Sequence, residues 1–84
     1  MDEKDDAQAK LKALEFPHGK YTHYKGPFYW VFATSIDEAT LEPLVHYESI
    51  AHGTRWTRTL KNFTEEVTLP SGEKKLRFTW VGRE

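Results

Sequence analysis

The groups in this chain that could bind or move charge are histidines, carboxylates and guanidiniums, and several stand close together near its start. His18 to Phe32 reads HGKYTHYKGPFYWVF, which sets His23 and Lys25 among six aromatic side chains. General acid–base chemistry needs a histidine or carboxylate within hydrogen-bond reach of the substrate, in a pocket that tunes its pKa. His23, His46, Glu42 and Glu48 are of the right type. His23, His46 and His52 also raise the question of zinc. However, there is no His-x-His pair, no helical His-x3-His and no cysteine. His46 and Glu48 form an i, i+2 pair, which suits a solvated strand face, and His52 beside Gly53 reads as a loop residue. No metal and no cofactor is expected. Hydroxyls are plentiful, but no Gly-x-Ser-x-Gly elbow or phosphate-cradling glycine loop accompanies them. Arg55-Trp56-Thr57-Arg58 interleaves cations with a ring, a combination that holds bases, phosphates or carboxylates. Its plainer reading buries Trp56 and pairs Arg58 with Glu42 or Glu48.

Elements must position these groups, and the chain has little length for them. Its 84 residues make one domain. A chain this short buries only roughly 60–65% of its unfolded surface. The twelve aromatic residues compensate, each removing about 150–250 Å² from water. There is no cysteine, so disulfides and thiolate sites are excluded, in keeping with a reducing cytosol. The longest apolar run, Phe28 to Ala33, is far below the ~20 residues that span a bilayer. MDEKDDAQAK is acidic with no apolar segment behind it, so no secretory signal is expected and a cytoplasmic location is. Net charge is −1, without the basic excess of a non-specific nucleic-acid binder.

Residues 1–16 read as an acidic helical extension. Asp5 and Asp6 suit the helix start, Ala7, Leu11 and Leu14 form one apolar stripe, and Pro17 ends it. Residues 17–84 read as a single small β domain. Lys20 to Lys25 and Phe28 to Ser35 form strands around the Gly26-Pro27 turn. Leu44 to Ile50, Arg55 to Arg58 and Lys75 to Val81 are further strands, the last with Leu76, Phe78 and Trp80 facing inward. Thr59 to Val67 spaces Leu60, Phe63 and Val67 as a helical turn. The expected fold is mostly β: a small antiparallel SH3-like partial barrel with an N-terminal helix and a short helical turn near 59–67. Phe28 to Ser35 is apolar on both sides, with Tyr29, Val31 and Ala33 on one and Phe28, Trp30 and Phe32 on the other. If the second side is open, its rings suit stacking of single-stranded bases. If not, the N-terminal helix, the 59–67 turn or a partner must cover it.

Gly19-x-Tyr21-x-His23-Tyr24-Lys25-Gly26-x-x-Tyr29-x-Val31 resembles the opening signature of a family of small bacterial domains of unknown function. Thr40-x-Glu42, a strand with Val45 and Tyr47, Trp56-x-Arg58, Phe63-x-Glu65 and Arg77-Phe78 follow in the family's order, so the resemblance spans about residues 19–79. The chain departs from it at Thr22, where Arg is frequent, at Asp37 to Thr40, where His-Ser-Glu-Thr is favoured, and at Thr59, where Pro is. The second of these removes a second imidazole from beside His23. The resemblance implies a compact, mostly β domain and no activity.

Together these readings favour a non-enzymatic binding module for an anionic or carbonyl-bearing small molecule or protein partner. Its site residues are His23, Tyr24, Lys25, Tyr29, Glu42 and Arg58. Two alternatives remain: an enzyme or accessory subunit using His23 with Glu42 or Glu48, and a single-stranded RNA binder using Phe28, Trp30 and Phe32.

Overall fold

The computed structural model describes residues 3–83, with side chains from Ala7 onward. Helix α1 (Glu3–Glu15) is followed by strands β1 (Gly19–His23), β2 (Phe28–Ile36), β3 (Pro43–Ser49) and β4 (Arg55–Thr59). Helix α2 (Leu60–Phe63) leads to β5 (Glu66–Thr68), β6 (Lys74–Leu76) and β7 (Phe78–Gly82). The expected mostly β class, the N-terminal helix and the short helix are all present.

The five long strands pair antiparallel in the order β4-β3-β2-β1-β7, and β5 and β6 form a separate hairpin. The expected barrel closure is absent: β4 and β7 are the two free edges of an open sheet. Closure is unnecessary because one face of the sheet is roofed from the same chain. Tyr21, Val31, Val45, Tyr47 and Phe78 line that inner face, and Phe63 of α2 sits on it with Phe16 and Leu60. Phe63 stacks on Phe78 at 4.0 Å between centroids, its plane 3° from parallel. It also meets Tyr21 and Tyr47 edge-on at 5.2 and 5.4 Å, the edge geometry that aromatic quadrupoles favour.

The helix docks by a different stripe from the expected one. Ala9 and Ala13 are buried, whereas Leu11 and Leu14 are 55% and 83% exposed. Small side chains let the helix approach closely enough for the Thr34 hydroxyl to donate to the Ala13 carbonyl at 2.7 Å. The side chains of Asp5 and Asp6, expected as caps, lie outside the described residues. At the helix exit Phe16 stacks on Tyr21. The Tyr21 hydroxyl donates to the Pro17 carbonyl at 2.8 Å, and burial pushes its pKa up to about 12.

Two strand expectations fail for one reason each. A bulge at Phe32 lets Val31 face Tyr47 while Ala33 pairs with His46, so Ala33 moves to the outer face and Thr34 takes the inner one. The expected strand Lys75 to Val81 breaks at Arg77, whose N–H donates to the Glu65 carbonyl and whose carbonyl accepts from Tyr24. Leu76 therefore turns outward and is 49% exposed, whereas Trp80 keeps to the side of Tyr21, edge-on at 5.2 Å, and is 43% exposed on the edge strand. Val67 lies in β5 rather than in a helical turn, since α2 stops at Phe63. Gly19 has φ +152°, and a Cβ there would stand 2.7–2.8 Å from the Gly82 carbonyl and the Trp80 ring. Only glycine admits that approach.

Because Phe63 is fully buried and touches four rings, Phe63→Ala is expected to cost about 3–5 kcal/mol, measurable as a lowered urea midpoint at unchanged m-value.

Candidate functional site

β1 ends at His23, and Tyr24 to Gly26 turns the chain into β2. The turn is closed by the Gly26 N–H on the His23 carbonyl and the His23 N–H on the Pro27 carbonyl. Gly26 has φ +112°, a conformation that glycine alone adopts without strain. The strand stops at His23, so Lys25 does not continue its alternation: Lys25 is exposed on the turn and His23 points inward.

There His23 joins a hollow of about 190 Å³ lined by Tyr29, Tyr47, Trp56, Arg58 and Phe78. Three of the six expected site residues meet here. His23 lies 5.0 Å from the Phe78 ring and 6.3 Å from the Tyr29 ring. Tyr24 stacks obliquely on His23 at 4.5 Å, and the Lys25 ammonium lies 5.8 Å from the Tyr24 ring, but neither lines the hollow, and Tyr24 lines a separate depression with Thr22, Lys75 and Thr79. Glu42 does not join them. Ile36 pairs with Pro43 beside it, while Tyr29 pairs with Ser49, which places Glu42 at the opposite end of the β2–β3 ladder. Glu48 points to the outer face, where it meets Arg55 at 3.7 Å. Neither carboxylate faces His23.

Arg58 has a different setting from the expected ion pair. Its Nε donates to the Tyr47 hydroxyl at 2.8 Å, and Nη1 donates to the Asn62 side-chain oxygen. Among the described residues it forms no ion pair with a carboxylate. The guanidinium is half-buried, lies 5.8 Å from the Phe78 ring and keeps its remaining N–H donors unpaired among the described residues. Trp56 is not core: it is 52% exposed on edge strand β4 and forms the rim.

Asn62 and Tyr47 fix this guanidinium, and sequence reasoning missed both roles. The Thr59 hydroxyl caps α2 by accepting the Asn62 N–H at 3.1 Å, which sets Asn62 one helical turn beyond Arg58. The Asn62 carbonyl also accepts from Arg77 Nε at 3.1 Å. The four-residue spacing of Arg58 and Asn62 was the available signal, and it becomes meaningful only once the helix start is known.

Burial, and then the charges of Arg58, Lys25 and Arg77, hold His23 below the usual imidazole pKa. Its Nδ1 accepts the Lys25 backbone N–H at 3.2 Å, so the neutral ring carries its proton on Nε2, an available donor. The other imidazoles are settled elsewhere. His46 contacts Ser35 and Thr57 through both ring nitrogens on the outer face, and His52 is in the β3–β4 loop. No group of metal-binding side chains forms among the described residues. No described helix is long and apolar enough to cross a membrane. A wider depression of about 560 Å³ lies where α1 exits, lined by Leu14, Glu15, Phe16, Pro17, His18, Trp30 and Arg83.

Residues 19–80 match a family described as protein of unknown function DUF1653. No curated protein matches the chain. A crystal structure of a DUF1653 protein from Bordetella bronchiseptica superposes with a TM-score of 0.73 at 29% identity, covering 86% of this chain and 95% of that one.

The His23 imidazole is expected to titrate below ~6.5 when followed by NMR, and Arg58→Met is expected to raise its midpoint only part of the way, because burial is the larger cause. Between the two midpoints the unfolded chain binds more protons, so folding stability should fall as pH drops from about 6.5 toward the folded value.

Proposed function

We propose, for a chain that belongs to the DUF1653 family of unknown function, that it is a non-enzymatic binding module whose hollow takes an anionic or carbonyl-bearing partner. The observation that carries this reading is Arg58: a half-buried guanidinium tied to two neutral groups, without a carboxylate partner among the described residues. Desolvating a cation without an anion is costly, so a ligand oxygen in that place would complete the site. His23 contributes a neutral N–H donor, Tyr29 and Trp56 contribute faces, and Tyr24 backs His23 from outside the hollow. In a titration of the labelled full chain against nucleotide, peptide and oligonucleotide panels, shifts are expected to cluster on His23, Tyr24, Tyr29, Trp56 and Arg58. Arg58→Gln should weaken binding at least tenfold, about 1.4 kcal/mol. Shifts clustering elsewhere would overturn the reading.

One observation favours a second reading, single-stranded RNA on the outer face. Phe28 and Phe32 are 45% and 38% exposed, with the Lys20 ammonium 4.4 Å from the first ring and the Arg55 guanidinium 4.9 Å from the second. Among the described residues two cations stand over these rings, and Glu48 partners one of them, so the electrostatic pull on a phosphate backbone is small. Oligonucleotide binding here should weaken with rising salt and be lost in Phe28→Ala; salt-independent or absent binding removes this reading.

A further inference from the structure

Resting on the Arg58 hollow as a binding site, we infer that the group it takes is a carboxylate carried on a flat apolar body, such as an aromatic acid. The size sets the first bound. About 190 Å³ is room for roughly six waters at ~30 Å³ each and lies below the ~300 Å³ of ordinary ligand sites. A single ring with its acid group fits, while a nucleotide does not enter.

Charge and donor count set the second bound. Among the described residues Arg58 is the one cation that lines the hollow; Lys25 and Arg77 stand outside its lining, although their charges reach His23 as well. His23 is held neutral and adds Nε2–H without adding charge. One positive charge with a few unpaired N–H donors matches a monoanion with two oxygens. A phosphate brings a second negative charge and a third oxygen that these groups do not answer. A neutral amide would leave the guanidinium covered yet uncompensated, and an amine would be repelled.

The walls set the third bound. Tyr29, Tyr47, Phe78 and Trp56 surround the donors with ring faces and edges, and the exposed indole of Trp56 on β4 offers a stacking surface for a planar group leaving the hollow. The same chemistry could arrive as a free aromatic acid or as the terminal carboxylate of a peptide ending in Phe.

The test is a chemical-shift titration of the labelled full chain with sodium benzoate, benzamide, inorganic phosphate, and a short peptide ending in Phe as free acid or amide. Benzoate should move the Trp56 indole and Arg58 Nε–H resonances saturably, with benzamide and phosphate at least tenfold weaker. Response to the free-acid peptide but not its amide would assign the peptide source, and response to benzoate alone the free acid. Arg58→Gln should remove the response. Because that change also disturbs Tyr47 and Asn62, Trp56→Ala at the rim serves as a second variant and should weaken benzoate at least fivefold while its amide spectrum stays that of the folded chain. Benzamide or phosphate binding as well as benzoate would overturn the carboxylate assignment while leaving the site intact. No shift at these resonances with any probe would overturn the assignment too, and a response to the broader panels above would then show whether the hollow binds at all.

Discussion

The parallel stack of Phe63 on Phe78 is the contact on which the rest of this small domain depends. Phe63 belongs to a helix of four residues, too short to be stable alone, and Phe78 opens an edge strand. Pressed together, they fasten α2 across the sheet and let five strands of modest length share one aromatic interior. The stack also has a chemical consequence. It fixes the neighbouring Asn62 where it can accept from Arg58 and Arg77, so the packing that closes the core also orients the guanidinium. Site and stability thus share one fastening.

Much of this was legible from residue pattern. Alternation in Lys20 to Lys25, Leu44 to Ile50 and Arg55 to Arg58 points to strands within a residue or two of those observed, Gly26-Pro27 to the turn and Pro17 to the end of a helix. Of the site residues, His23, Tyr29 and Arg58 converge because they share one face near one end of the sheet, a relation that parity and turn position reveal. Glu42 is the failure. Its distance from the others follows from antiparallel register, which runs the β2–β3 loop to the far end, and register is decided by pairing rather than by local sequence.

The remaining misreadings share a cause in tertiary context. Leu11 and Leu14 make the better apolar stripe by hydrophobicity, yet the sheet accepts Ala9 and Ala13 because a close helix satisfies the Thr34 hydroxyl and lets Phe16 reach the interior. The pattern of Phe28 to Ser35 could not reveal the bulge at Phe32, since every residue there is compatible with either face. Arg58 was assigned a carboxylate by the general rule for sheltered cations, and the protein instead uses a phenol and an amide.

An open sheet has a further consequence. Both borders, β4 and β7, carry backbone groups that another molecule of the same kind could copy onto itself. Each border strand is only five residues long. One is flanked by the solvated cation Arg55, and the other is irregular where Val81 slips out of register between Tyr21 and Lys20. Brevity, charge and crookedness therefore deter the growth of one molecule onto the next, a solution that a sealed cylinder would not have needed.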